Sequence, residues 1–207
     1  ENILVSSVQD LYGIPKRFSY PVVVKGLFYD ASVAHNFNDV MAAFDRLRLK
    51  WGLPIIIQQF VSGDEFNVAA LGDGSGSAVG AVAMRKLYIT DKGKGWAGVT
   101  VDDKALIGLA RKTIEKLRWR SGIELEFVKT KDTGEYYLLE INPRFPAWVY
   151  LATAAGQNLP YALVKLALGE SVQPFSAYEV GKIFVRYSWD LITTMSQFEK
   201  LAVAGEL

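Results

Sequence analysis

The residues best suited to chemistry lie within positions 122–144, GIELEFVKTKDTGEYYLLEINPR, where acidic and amide side chains recur among hydrophobic ones. Glu126, Glu140 and Asn142 offer two carboxylates and an amide oxygen, which are the hard ligands that magnesium prefers. Arg144 follows shortly after and can hold a phosphate or a carboxylate through two parallel hydrogen bonds. The alternative is a solvated hairpin with ordinary surface acids. For a single pair of glutamates we would favour that alternative. For all four residues together we favour a magnesium and phosphate site.

The spacing of these residues predicts a hairpin with strands at 123–129 and 135–142. A turn symmetric about Thr133 places Glu126 opposite Glu140, with Cβ atoms about 4.5–5.5 Å apart. Like charges so placed destabilise a sheet, and a divalent cation would offset the repulsion. Side chains alternate between the two faces of a strand, so Glu124 and Glu126 share one face of their strand. On the next strand Glu140 and Asn142 share a face, and Ile141 points into the packing on the other side.

Hydrophobic patterning along the rest of the chain predicts a mixture of hairpins and helices, and therefore an α+β fold. Residues 90–98 (TDKGKGWAG) predict a mobile loop, and the segment after Thr194 has no clear pattern. The predicted strands are 20–25, 53–61, 65–71, 78–89 and 182–188, and the predicted helices are 38–50, 102–119 and 159–168.

The composition excludes several classes of function. The 207 residues include 23 basic and 22 acidic side chains, so the charge gives no reason to expect nucleic acid or a membrane surface as partner. The chain has no cysteine and a single histidine, His35, which argues against thiol chemistry, polyhistidine zinc sites and Ser-His hydrolysis. No apolar run approaches the roughly 20 residues of a membrane span. We expect a cytoplasmic protein, and the opening residues read like the middle of a longer one.

The hairpin resembles the magnesium-binding strands of the ATP-grasp superfamily, in its GIELEF and LLEINPR segments. That superfamily includes D-alanine–D-alanine ligase, biotin carboxylase and carbamoyl phosphate synthetase. Three more stretches agree in order and spacing: YPVVVKG (20–26), IIIQQFVSGDEFNV (55–68) and MRKLYI (84–89).

The resemblance implies a fold of two α+β lobes with the nucleotide between them. Residues 1–62 would form the smaller lobe and the hinge, and residues 63–207 the larger lobe with the metal site. The N-terminal domain that such enzymes carry has no match in this chain. The late segment Phe184-Val185-Arg186-Tyr187 is more similar to carbamoyl phosphate synthetase-like members than to D-alanine ligases.

The resemblance also implies a role for each matching residue. Lys86 and Arg144 would be the catalytic pair, with Arg144 stabilising the transferring phosphoryl group or an acyl phosphate. The nucleotide contacts would be Lys25 to the α/β-phosphates, Gln58 and the backbone of Gln59 and Val61 to adenine, Glu65 to ribose, and Lys86, joined by Arg85, to the terminal phosphates. The metal ligands would be Glu126, Glu140 and Asn142, holding Mg²⁺ or Mn²⁺.

Each of these residues has a simpler alternative as a solvated strand end or a surface charge, and the joint pattern favours the site. Residues 26–32 carry one glycine where many family members have a glycine-rich phosphate loop. Lys92 or Lys94 could compensate from a lid, or could sit at an exposed hairpin tip. The aromatic, proline-rich segment 142–150 either lines the acceptor side or packs the core.

Two functions from different classes are compatible with the sequence. The first is an ATP- and magnesium-dependent ligase that joins a small-molecule or peptide carboxylate to an amine or thiol and releases ADP and phosphate. The second is a nucleotide-binding or regulatory module without turnover of its own. A metal-dependent phosphatase is disfavoured, because it leaves the QQFVSGDE segment and the strand lysines unexplained. The oligomeric state stays open, a homodimer included.

Overall fold

The computed structural model describes residues 1–28, 30–89, 95–188, 190 and 192–205, and these form two antiparallel sheets flanked by helices. The strands are β1 (Asn2–Val5), β2 (Val22–Gly26), β3 (Ala31–Ala34), β4 (Ile55–Gln59), β5 (Gly63–Asp73), β6 (Ala78–Ile89), β7 (Gly95–Thr100), β8 (Arg120–Thr130), β9 (Tyr136–Asn142) and β10 (Ile183–Val185). The helices are α1 (Val8–Leu11), α2 (Ile14–Arg17), α3 (Phe37–Trp51), α4 (Lys104–Leu117), α5 (Val149–Ala154), α6 (Leu159–Ala167) and α7 (Met195–Ala204).

The smaller sheet has the strand order β1-β4-β2-β3, and α3 covers one of its faces. Val40, Phe44 and Leu47 recur at helical spacing on α3 and are fully buried against the sheet. Burial of a side chain such as Phe44 contributes about 1.5–3 kcal/mol of hydrophobic free energy. Asn36 caps the start of the helix, and Gly52, with φ of 81°, ends it. The other face of the sheet carries Lys25.

The larger sheet has the strand order β10-β7-β6-β5-β8-β9, with every neighbouring pair antiparallel. Helix α4 packs on one face through Leu106, Ala110 and Ile114. Helices α5 and α6 pack on the opposite face and bury Leu151 and Leu159. The polar residues of interest share this second face with α5 and α6.

The structure corrects the prediction of a loop at residues 90–98, because its last part belongs to β7. Gly98 pairs with Lys86 across the β6–β7 ladder. A Cβ on Gly98 would lie 2.2 Å from Met84 Sδ, so this glycine serves close packing rather than mobility. Lys92 and Lys94 lie outside the described residues.

The other differences concern short or weakly patterned elements. Strand β3 begins at Ala31, within the stretch 26–32 that carries one glycine where many family members have a phosphate loop, and pairs with β2. The segment after Thr194, which had no clear pattern, contains α7. Within the described ranges, no helix combines the length and the apolar character needed to cross a membrane.

Candidate nucleotide and metal site

The acidic hairpin has the register predicted from sequence, since Glu126 pairs with Glu140. The turn itself is centred half a residue earlier than expected, because Lys129 pairs with Tyr136. A bulge beside Glu126 leaves Leu139 as an extra residue on β9 and restores the register. The two carboxylates therefore lie opposite each other on the face that α5 and α6 share.

Strand β9 is an edge strand, and this position makes one expectation wrong. Ile141 was expected to point into packing, yet it is 37% exposed. It pairs with the fully buried Leu125, but among the described residues no strand lies beyond β9 to cover its side chain.

Lys86 on β6 is the cation at the centre of the site. Its Nζ donates to Glu65 Oε2 at 2.6 Å and to Glu126 Oε2 at 3.1 Å, and only 7% of its side chain is exposed. Burial acts to lower the pKa of Lys86, but the charges of Glu126 and Glu65 and their hydrogen bonds outweigh it, so its pKa is raised. Lys86, Glu65, Glu126 and Glu140 are called the acid–lysine cluster below.

Glu140 and Lys25 link the cluster to the smaller sheet. Burial raises the pKa of Glu140, and the neighbouring carboxylate of Glu126 raises it further, while Lys25 acts in the opposite direction. Burial lowers the pKa of Lys25, although the charges of Glu140 and Glu126 oppose that effect. Lys25 lies on the face of β2 that α3 does not cover, and its charge and those of Glu140 and Glu126 act on one another.

Glu124 is the principal member of the site that sequence reasoning did not select. It is 5% exposed and accepts hydrogen bonds from Asn67, Trp148, Asn142 and Arg144. Strand alternation placed Glu124 on the same face as Glu126, and this was the available signal. Its partners Asn67 and Trp148 are distant in sequence, so the contacts could not be read from the motif.

Asn142 and Arg144 lie together at the end of β9. Asn142 is 9% exposed and donates its Nδ2 to Glu124 at 3.2 Å and to Glu126 at 3.0 Å. Arg144 donates to Asn142 Oδ1 at 3.4 Å and to Glu124 at 3.3 Å, and 59% of its side chain is exposed. One edge of the Arg144 guanidinium is therefore held by hydrogen bonds to Asn142 and Glu124, and the rest of the group is accessible to solvent.

Arg85 is not brought to the cluster, which corrects its grouping with Lys86. Adjacent residues on a strand point to opposite faces, and Arg85 lies on the α4 side of the sheet. Its Nη2 pairs with Asp64 Oδ2 at 3.1 Å, and both side chains are largely exposed.

The segment expected to hold adenine connects the two sheets. Gln58 lies on β4 opposite Val23 of β2, and so shares a sheet face with Lys25. Gln59 and Val61 line a cavity of about 370 Å³ between this connection and the β8–β9 turn. The other lining residues are Phe60, Ser62, Thr130, Lys131, Asp132 and Tyr137.

The segment after β9 is divided between the core and the surface, since Trp148 is buried whereas Tyr150 is 78% exposed. Trp148 is 7% exposed and belongs to the cluster under α5 and α6, with Leu151 and Ala152. Its indole Nε1 donates to Glu124 Oε1 at 2.9 Å, so core packing and the polar site meet at this side chain.

The donor set fits a magnesium ion that is shared with a phosphate-bearing substrate. In the described part of the chain, no three acidic or histidine side chains converge as a ready-made cation site. Magnesium is usually held by one or two carboxylates with substrate phosphates and water, rather than by a cage of protein ligands. Glu126 and Glu140 supply the carboxylates. Their two negative charges face each other across the strands, and a cation would relieve this repulsion.

Comparison with known proteins identifies the family. Residues 53–187 match the family model described as ATP-grasp in the biosynthetic pathway with Ter operon. The chain belongs to this ATP-grasp family. The N-terminal section of the carbamoyl phosphate synthase large chain of Methanopyrus kandleri is 23% identical to the ATP-grasp chain over 198 residues. That match covers 88% of the ATP-grasp chain and 35% of the relative.

Solved structures show the same fold. One is the biotin carboxylase domain of 2-oxoglutarate carboxylase from Hydrogenobacter thermophilus, a dimer in complex with MgADP, ADP and bicarbonate. It matches with a TM-score of 0.69 at 16% identity, over 87% of the ATP-grasp chain and 44% of that structure. An ADP complex of N5-carboxyaminoimidazole ribonucleotide synthetase matches with a TM-score of 0.70 at 17% identity. This match covers 86% of the ATP-grasp chain and 49% of that structure. The α+β ATP-grasp fold predicted from sequence is confirmed, and the chain spans less than half the length of these relatives.

Proposed function

We propose that this chain forms the nucleotide- and magnesium-binding part of an ATP-dependent ligase that joins a carboxylate to an amine or a thiol. The observation that carries the proposal is the acid–lysine cluster, whose charges act on that of Lys25. The cluster combines a nearly buried lysine with two carboxylates that face each other, one of them with a raised pKa, and such perturbed groups concentrate at functional sites. Family membership supports the same conclusion.

The residues of the chain divide the work of binding a nucleotide. Lys25 and Lys86 supply positive charge from opposite sheets for the phosphates. Glu65 would accept from the ribose hydroxyls once phosphate competes for Lys86, to which it is bonded in this structure. Gln58 and the backbone of Gln59 and Val61 would meet the adenine edge beside the 370 Å³ cavity.

Glu126, Glu140 and the Asn142 amide oxygen would hold Mg²⁺, for which Mn²⁺ can substitute. The ion, when bound, neutralises charge on the phosphates. Arg85 is left out of the proposed set, because its side chain lies on the opposite face of the sheet.

The proposed reaction proceeds in two steps. A carboxylate oxygen of the substrate attacks the γ-phosphorus of ATP, the bond to the β-phosphate oxygen breaks, and ADP leaves. The nucleophile then attacks the carbonyl carbon of the acyl phosphate, loses a proton, and releases inorganic phosphate. Such phosphoryl transfer needs positioning and charge neutralisation more than covalent help from the protein. Arg144 has an exposed edge suited to the charge that develops on the transferring group.

A second candidate is a nucleotide-binding module that has no turnover by itself. The observation that favours it is the single glycine in residues 26–32, where many family members have a glycine-rich phosphate loop. The partners proposed for both candidates are ATP and Mg²⁺, and the ligase adds a small-molecule or peptide carboxylate and an acceptor. Assembly as a homodimer is proposed by analogy with the H. thermophilus domain.

A trapping assay separates the two candidates. The chain is incubated with ATP, Mg²⁺, hydroxylamine as acceptor, and a panel of L-amino acids and dicarboxylates. The ligase predicts equal amounts of ADP and hydroxamate, lost in Glu140→Gln and retained in the matched control Glu115→Gln, an exposed acid on α4. Formation of AMP in place of ADP would contradict the acyl phosphate. Magnesium-dependent ADP binding without any turnover would select the second candidate.

A further inference from the structure

Both carboxylate oxygens of Glu126 accept hydrogen bonds from side chains of the chain itself. Its Oε2 accepts from Lys86 Nζ at 3.1 Å, and its Oε1 accepts from Asn142 Nδ2 at 3.0 Å. Glu126 is also one of the two carboxylates proposed to hold the ion. A metal ion binds a carboxylate through the same oxygens that accept from an ammonium group, and both cations are positive. Lys86 and the ion therefore compete for Glu126.

The Lys86 side chain is fixed among the acids of the cluster. The strand order β6-β5-β8 places Glu126 two strands away from Lys86, so the lysine side chain crosses over β5 to reach it. Neighbouring strands lie about 4.7–4.9 Å apart, which the long lysine side chain can span together with the glutamate. Over β5 the same Nζ donates to Glu65 Oε2 at 2.6 Å, and only 7% of the lysine side chain is exposed. Lys86 is thus the shared counter-ion of two carboxylates.

We propose that Lys86 is an internal counter-ion that keeps metal ions from the acid–lysine cluster until a nucleotide binds. Phosphate oxygens offer its ammonium group new acceptors, and Lys86 turns to them from Glu65 and Glu126. Glu126 then becomes available to hold Mg²⁺ together with Glu140. The inference rests on the proposed function, because it assigns the order in which the ligands of that same site bind.

This exchange couples the metal to the nucleotide. Without a nucleotide, a metal ion can bind Glu126 only by breaking a charged hydrogen bond and by lying next to an ammonium group. With a nucleotide, the phosphates have already drawn the ammonium away. Coupling between two ligands is reciprocal, so each should tighten the binding of the other.

Lys86→Met tests the proposal through a gain of metal binding. Methionine is an unbranched side chain without charge, so Glu65 and Glu126 lose the cation that they share. We expect Mn²⁺ binding without nucleotide, measured by electron paramagnetic resonance of the unbound ion, to be about 10–100-fold tighter than in wild type. That factor corresponds to the charged hydrogen bond that the ion no longer has to break. An ion pair that served stability alone would predict a less stable variant with no gain in Mn²⁺ affinity.

Two controls show whether the gain belongs to the cluster. Lys129→Met removes the same charge from the opposite face of the sheet, where Lys129 Nζ pairs with Asp103 Oδ2 at 3.3 Å. Its Mn²⁺ affinity should equal that of wild type. Adding Glu140→Gln to Lys86→Met should abolish the gain, because it removes the carboxylate that lies opposite Glu126.

Equal Mn²⁺ affinity in Lys86→Met and in wild type, or an equal gain in Lys129→Met, would overturn the proposal. Wild type that binds Mn²⁺ as tightly without ADP as with it would also overturn it, and that result needs no variant. If melting curves show that Lys86→Met does not fold, Lys86→Gln replaces it, since its amide still donates a hydrogen bond but carries no charge; the same gain is expected. The proposed function has a separate test, because it fails if wild type shows no Mg²⁺-dependent ADP binding, whatever the variants do.

Discussion

Replacing Glu140 with glutamine should stabilise the fold while it removes magnesium-dependent nucleotide binding. Glu140 lies opposite Glu126, and burial followed by the charge of Glu126 raises its pKa. A carboxyl whose pKa is higher in the folded than in the unfolded state holds its proton more tightly when folded. The ionised side chain therefore destabilises the fold at pH values above its folded pKa, and this penalty is absent below its unfolded pKa.

The magnitude follows from the position of Glu140 in the sheet. Opposed like charges on neighbouring strands cost about 0.2–1 kcal/mol, and partial exposure of Glu140 to solvent keeps the cost within that range. For a chain of this size, 1 kcal/mol corresponds to about 2–4 °C in Tm. Glu140→Gln should therefore raise Tm by up to about 4 °C near pH 7.5 without magnesium, and the gain should vanish at a pH where the carboxyl is protonated.

The assay is calorimetric melting of wild type, Glu140→Gln and the surface control Glu115→Gln, with and without MgADP. Ligand that binds only the folded state raises Tm by mass action, so MgADP should stabilise wild type and the control but not Glu140→Gln. A variant that melts below wild type at neutral pH without magnesium would refute the reasoning. The carboxylate would then be making a stabilising contact of its own, and the metal assignment would lose its support.

Three further substitutions test the cluster. Lys86→Met should cost about 3 kcal/mol in urea denaturation, because it leaves Glu65 and Glu126 without their shared cation. Since the pKa of Lys86 is raised on folding, its contribution persists across neutral pH and is lost only above its unfolded pKa of about 10.4. Arg85→Met is the matched control on the other face of the sheet, and it should change stability by less than about 1 kcal/mol. Its ADP affinity in calorimetric titration should equal that of wild type, and a tenfold loss would show that Arg85 contacts the nucleotide. Lys25→Met should weaken ADP binding about 10–100-fold, because it removes a charged contact to phosphate. The variant should lose no stability, since burial of the Lys25 charge opposes folding, and ADP affinity equal to that of wild type would show that Lys25 does not contact phosphate.

Much of the fold could be predicted because its signals are local. The period of two along residues 122–144 gave the β8–β9 hairpin, and helical spacing located α3 and α4. The Glu126–Glu140 register was predicted correctly from a turn centre that was slightly wrong, since the bulge at Leu139 compensates. Helices α1 and α2 escaped prediction because four residues are too few to show a period.

The rest of the site depended on contacts between residues far apart in sequence. Glu124 is bonded to Asn67, which is 57 positions away, and to Trp148, which is 24 positions away. No spacing rule connects such residues before the strand order is known. Arg85 is different, because alternation along β6 already placed it on the face opposite Lys86. Gly98 was assigned to a loop by composition, although packing against Met84 is what excludes a side chain there.

The most direct test of the account is calorimetric titration of the chain with ADP, with and without Mg²⁺, for wild type, Glu140→Gln and Glu115→Gln. The account predicts binding that requires Mg²⁺ in wild type and in Glu115→Gln, and that Glu140→Gln loses. ADP binding that is equally tight without Mg²⁺, or that survives in Glu140→Gln with its Mg²⁺ dependence intact, would contradict a metal and nucleotide site at the acid–lysine cluster.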